Sequence, residues 1–187
     1  MAKPSKEQSV HLQELRDFVV DVMKDMPVWA DMDVELLRSI PLGVLRKNAT
    51  QRHGVTRWKR GVDVHSLTLH TIETIDLHPQ LLTQRWRAYS AFVLHHEYIH
   101  ALGFREHNSL FRQLEHTWPG RSASSQGLEF TEFLRRSKAL WLWCCSTCGK
   151  EFPRQKPSRR RYRCRTCNTL LVDKKNPSRL NHLPPSI

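Results

Sequence analysis

No stretch of this 187-residue chain holds 18 consecutive apolar residues, so the sequence predicts no membrane-spanning helix. The opening MAKPSKEQSV has neither an apolar core nor a small-residue cleavage site, which argues against a secretory signal and for a cytoplasmic location, with nucleoid or nucleus as variants of it. Cysteine is missing until Cys144, and all five cysteines lie between Cys144 and Cys167. Such clustering in a chain without a secretory signal favours metal binding over a disulfide framework. Acidic residues are scarce: 18 Asp and Glu stand against 30 Lys and Arg, a net charge of +12. That excess points to a polyanionic partner, most simply nucleic acid, against the plainer reading of a solvated basic surface. There is no internal repeat. The length suits one compact domain with a small appendage, and 39% hydrophobic residues suffice for a core.

Along the chain, residues 1–9 are polar and expected to be loose. Leu12, Leu15, Phe18, Val19, Val22 and Met23 recur at helical spacing and predict an amphipathic helix from about His11 to Met26, before Pro27. A second helical piece is expected at Val34–Ile40. Over 42–78, Val44, Val55, Val62, Val64, Leu67, Leu69, Ile72, Ile75 and Leu77 alternate with polar residues. They predict a small antiparallel sheet of about three strands, with a bulge or break near Thr71–Ile72. A long buried helix is expected from about Thr83 to Leu102, capped by Gly103. Helices are expected again at 107–117, with Leu110, Phe111 and Leu114 inward, and at 127–143, which carries Leu128, Phe130, Phe133, Leu134, Leu140 and Leu142. Pro119-Gly120 and Ser122–Ser125 read as a loop between them. Composition shifts to Cys, Arg, Lys and Pro near Leu142. The segments are therefore a loose 1–9, a main domain over 10–142, a cysteine module over 143–173 and a disordered tail over 174–187. The fold class expected is α+β, helices packed on a small sheet, plus a small β module.

The chemistry concentrates in His96-Glu97-Tyr98-Ile99-His100, the HExxH pattern. On a helix, residues four apart lie about 40° apart around the axis, so both imidazoles reach one ion, while Glu97 points about 100° away from His96 and stands beside the ion. The implied chemistry is metal-assisted hydrolysis with Glu97 moving the proton of water. A catalytic zinc takes three protein ligands and keeps one position open. Glu106 and His107 are the near candidates for the third, with His107 preferred; Glu115 and His116 are more distant ones. Tyr89, Arg105 and His95 lie close by in sequence and read as structural. The plain alternative, two helix histidines with ordinary hydrogen bonds, is weakened by the buried helix around them.

Cys145-Ser-Thr-Cys148 and Cys164-Arg-Thr-Cys167 are two CxxC knuckles separated by 15 residues. Four thiolates at this spacing close a tetrahedral zinc site, structural because no position stays open. Each knuckle is expected to top a β-hairpin, with Phe152 and Tyr162 on the flanking strands, and Cys144 to remain a free, partly buried thiol. Residues 149–165 carry eight Lys or Arg and one acid. A basic loop with a nearby Tyr suits phosphate contacts and base stacking.

Taken together, HEYIHALGFREHNSLFRQLE, the preceding TIDLHPQLL and the C-terminal CxxC…CxxC ribbon resemble the SprT-like metallopeptidases, the family that includes the Spartan DNA–protein crosslink proteases. The resemblance covers roughly residues 10–172. It implies a zincin-like peptidase domain with a zinc ribbon, His96, His100 and His107 as ligands of a catalytic Zn²⁺, Glu97 as the catalytic residue, and proteolysis of proteins associated with DNA. Two features depart from the family: the His100-to-His107 segment is shorter than in Spartan, and Asn108 stands where the family often has Gly. The competing reading is a non-enzymatic zinc-ribbon protein that binds nucleic acid. A weaker third is a hydrolase acting on nucleic acid itself.

Overall fold

The computed structural model describes residues 3–63, 68–120 and 122–177, and its architecture is mixed α/β with two small sheets. Helix α1 (Lys6–Lys24) starts five residues before the expected His11. Ser5 and Gln8 form a capping box: Gln8 N donates to Ser5 Oγ at 3.2 Å and Ser5 N to Gln8 Oε1 at 2.9 Å. The segment expected to be loose is therefore helical from Lys6. Leu12, Leu15, Val19, Val20 and Met23 form the buried face, whereas Phe18, expected inward, is 52% exposed. A 3-10 segment at Val34–Ser39 occupies the expected second helical piece.

Strands β1 (Leu42–Val44), β2 (Gly54–Trp58) and β3 (Ile72–Leu77) form a sheet in the order β1-β3-β2. β2 runs antiparallel to β3 but β1 runs parallel to it, so the expected all-antiparallel sheet is corrected to a mixed one. Strand β3 is buried except at Glu73. A strand buried at five of its six positions takes the centre, and consecutive β1 and β2 are split to its two sides. The register slips between Arg57, opposite Thr74, and Trp58, opposite Ile72, which puts the irregularity beside the expected position. Leu69 lies in a 3-10 turn and Val62 in no strand; Val64 and Leu67 fall outside the described residues.

A 3-10 turn at Gln84–Trp86 leads into α2 (Arg87–Ala101), so the long helix starts later than expected. From Tyr89 to Ala101 every residue is buried except His96 and His100. Helix α3 (Ser109–His116) turns Phe111 and Leu114 inward, but Leu110 is 48% exposed. Helix α4 (Ser122–Lys138) begins within the expected Ser122–Ser125 loop and ends before Leu140 and Leu142; it buries Phe130 and Leu134 and leaves Leu128 exposed.

The chain divides into two compact units, one through Gly127 and the other from Leu128 on, so the division falls inside α4. In the second unit, β4 (Trp141–Cys145), β5 (Glu151–Arg154) and β6 (Leu171–Lys175) form an antiparallel sheet in the order β5-β4-β6. Residues 141–143, expected at the end of a helix, are thus the start of the central strand. The expected disorder from Lys174 is likewise corrected up to residue 177. Lys174 and Lys175 pair with Leu142 and Trp141, and buried Asn176 donates its Nδ2 to the carbonyls of Arg136 at 2.6 Å and Ala139 at 2.9 Å. The rest of that tail lies outside the described residues. Tyr162 stands next to an isolated bridge, Arg163 to Leu170, rather than on a named strand. Among the described residues no helix is long and apolar enough to cross a membrane.

Candidate metal centres

The only breaks in the buried surface of α2 after Tyr89 are its two motif histidines, and its C-terminus is built to hold the second of them. Gly103, at φ 101°, lets the chain close a Schellman turn, with Gly103 N donating to His100 O at 3.0 Å and Phe104 N to Ile99 O at 3.2 Å. The same turn brings the Phe104 carbonyl to 2.8 Å from His100 Nδ1. A carbonyl only accepts, so Nδ1 carries the proton and Nε2 keeps its lone pair. Burial pushes the His100 pKa down to about 4, which keeps the ring neutral.

His107 stands just before α3, whose N-cap is Asn108: its Oδ1 accepts from Phe111 N at 3.0 Å. That cap fixes the direction in which the chain enters the helix and so returns His107 to α2. One nitrogen from each of His96, His100 and His107 lies within 4.8 Å of the others, and His96 Nε2 is 3.1 Å from His107 Nε2. Zinc–nitrogen bonds of 2.0–2.1 Å set tetrahedral ligands about 3.3 Å apart, so this group fits such an ion. Phe111 is fully buried and packs under all three rings, its centroid 4.9 Å from His96, 4.7 Å from His100 and 4.6 Å from His107. The third residue is therefore His107 rather than Glu106, which is exposed and outside the group.

Glu115 is not in the group of three either. Its Oε1 accepts from His96 Nδ1 at 2.7 Å and its Oε2 from Arg112 at 2.8 Å. Burial alone would raise its pKa, but these two donors outweigh burial and bring it to about 2. His116 instead bonds the Arg112 carbonyl.

Glu97 is buried and tied to β2. Thr56 Oγ1 donates to its Oε2 at 2.8 Å, and a Cβ added at Gly54 would stand 2.7 Å from its Oε1. Only glycine lets the strand pass this close. Burial raises the Glu97 pKa, against the smaller lowering effects of His96 and Thr56. A cleft of about 380 Å³ opens over the site between β2 and α2, lined among others by Arg52, Thr56, Trp58, Glu97, Arg105 and the three histidines. Arg105, read as structural from the sequence, thus belongs to the cleft wall. Tyr89 is 2.6 Å from His53 Nδ1, and His95 is fully buried against Trp118 and Trp29.

In the second unit the Sγ atoms of Cys145, Cys148, Cys164 and Cys167 lie within 4.8 Å of one another, with Cys148 and Cys164 3.7 Å apart. Zinc–sulfur bonds of 2.3 Å imply a tetrahedral edge of about 3.8 Å, so the four fit a closed zinc site. Backbone N–H groups of Cys167 and Thr166 pull the Cys164 pKa down to about 6, whereas the hydrogen bond and charge of neighbouring Cys148 push Cys167 up to about 12. Such crowding of sulfurs is what a divalent cation relieves. Cys144 stays outside the four, buried, with its Sγ 3.7 Å from Glu151 Oε1.

Thr56, Gly54 and the inner role of Glu115 escaped the sequence reading: they lie 19 to 43 residues from what they touch, and no spacing marks them. Asn108, the N-cap of α3, falls inside the helix expected at 107–117, so its capping role was not read from the sequence either. No family model matches the chain, and no solved structure matches it. Over 111 residues the chain is 27% identical to Protein SprT-like of Streptococcus equi subsp. zooepidemicus (strain H70), a match that spans 56% of this chain and 71% of that protein. This similarity supports membership of the SprT-like family.

Proposed function

We propose that the chain is a zinc-dependent peptidase that cleaves proteins bound or crosslinked to DNA, with Glu97 as general base. The observation that carries this reading is the convergence of three imidazoles beside a buried carboxylate on the floor of an open cleft. A zinc ion held by His96, His100 and His107 supplies Lewis acidity, acidifying water and polarising a carbonyl. Glu97, made more basic by burial, takes the proton of the attacking water and returns it to the leaving amine. Thr56 keeps the carboxylate aimed while this happens. Strand β2 is an edge of its sheet and its residues line the cleft, so an extended peptide can lie along it by main-chain pairing.

DNA docking belongs to the cysteine module. Trp143 and Tyr162 stack with centroids 4.5 Å apart, and the Arg154 guanidinium lies 5.0 Å from the Trp143 ring centre. Arg163 and Arg165 line the same depression, and Tyr162 is 51% exposed. Aromatic faces among guanidinium groups take bases by stacking and phosphates by charge. Docking raises the local concentration of DNA-bound substrate, so the cleft itself can be unselective.

The test compares wild type with Glu97→Gln on a DNA-bound protein substrate. Wild-type cleavage is expected to rise with DNA and to weaken as salt increases. The variant is expected to lose about 10²–10⁴-fold in rate while retaining its zinc. Undiminished cleavage by the variant would sink the mechanism.

A further inference from the structure

The three histidines are oriented by different means. His100 is held by a carbonyl of its own helix-ending turn, and His107 by the chain direction that Asn108 sets. His96 alone is held by a charged side chain from another helix, Glu115 at 2.7 Å. Glu115 lies in the last turn of α3 with its side chain only 11% exposed, and Arg112, one turn earlier, occupies the second carboxylate oxygen. The two ends of α3 therefore serve one site, with His107 just before its start and Glu115 near its finish. An imidazole has two nitrogens, and only the unprotonated one ligates. A carboxylate on Nδ1 fixes the proton there, turns Nε2 inward and raises its strength as a ligand.

We infer that Glu115 is a positioning residue for the histidine site: its carboxylate, steadied by Arg112, fixes His96 as the Nδ1–H tautomer and aims Nε2 at the ion. This rests on the reading of the three histidines as a zinc site. It differs from a purely structural role, in which the Glu115–Arg112 pair would only brace α3. In that case the loss of Glu115 would lower stability and leave the His96 tautomer alone.

The experiment uses the full chain with zinc, measured by competition with a chromophoric chelator. Cobalt is a second probe, because thiolate-to-cobalt charge-transfer absorption reports the cysteine site separately. Glu115→Leu is expected to weaken zinc at the histidine site by about 10–100-fold and to leave the cysteine site unchanged. Glu115→Gln, whose amide oxygen still accepts from Nδ1–H, is expected to recover most of that loss. Imidazole ¹⁵N spectra of the metal-free protein should show His96 protonated at Nδ1 in wild type and Glu115→Gln, and a tautomer mixture in Glu115→Leu. Should leucine prevent folding, Glu115→Asp withdraws the acceptor while keeping a charge for Arg112, and the same two changes are expected. Both changes together support the inference. Either one alone, neither, or a wild-type chain that takes no zinc at the histidines overturns it. Proteolysis is scored separately: Glu115-dependent zinc binding with no cleavage by wild type fails the peptidase reading and leaves this inference standing.

Discussion

At the scale of single residues, Gly54 is the tightest constraint on the proposed base. An added methyl would meet Glu97 Cγ and Val93 Cγ1, both at 2.9 Å, as well as the Glu97 carboxylate. The carboxylate end can swing aside, but Cγ and a valine packed in the helix cannot do so cheaply. Gly54→Ala is therefore expected to displace Glu97, cutting peptidase rate more than tenfold, and to cost about 1–3 kcal/mol in stability while zinc content holds. Rate, thermal melting and zinc analysis on one preparation check this; a wild-type rate would show that the carboxylate needs no such close strand. His96, Glu97 and His100 were legible because helical spacing is local. The need for glycine at position 54 was not, because it arises only where β2 crosses α2.

At the scale of elements, α3 with the two residues before it supplies the third histidine, the apolar floor under all three rings and the partner of His96 within nine residues. Its N-cap governs them together. Asn108→Ala should cost about 1 kcal/mol, and Asn108→Gly only a few tenths, since glycine tolerates the cap conformation. Because His107 directly precedes the cap, the alanine variant is also expected to bind zinc at the histidine site several-fold more weakly. Calorimetric melting and chelator competition measure the two effects, and an affinity equal to wild type would detach the cap from the site. Element boundaries were less legible than elements. Trp141–Cys145 is a short apolar run whose period does not separate strand from helix. Its pairing with β5 and β6, the latter some 30 residues on, is what settles it as a strand. Leu110 and Phe18 sit at helical core spacing yet face outward, because each lies at the margin of its helix's buried stripe.

At the scale of the whole molecule, the two candidate sites differ in kind: four sulfurs that leave no position open, and three imidazoles that do. The full chain is expected to hold two zinc ions, and a Cys145→Ser, Cys148→Ser variant one. That variant should keep cleavage of an unstructured protein and lose its stimulation by DNA; metal analysis and the two assays decide, and retained stimulation would move DNA docking away from the ribbon. Binding of DNA by the intact chain should weaken with salt in a log–log slope of about −0.9 per phosphate neutralised, and a shallower slope is expected once Arg154 and Arg163 are replaced.

By itself the sequence determined what depends on neighbours along the chain. The two histidines and the glutamate share a helix, the glycine ends it, and two CxxC knuckles supply four thiolates. Helical period and chelate spacing are short-range geometry, so composition around these motifs suffices to place them. Tertiary structure decided what depends on approach between distant segments. It set His107 rather than Glu106 beside the pair, Glu115 behind His96, Thr56 and Gly54 against Glu97, and β1 parallel to β3. Each of these follows from how apolar faces pack, and a packing arrangement leaves no fixed interval in the sequence.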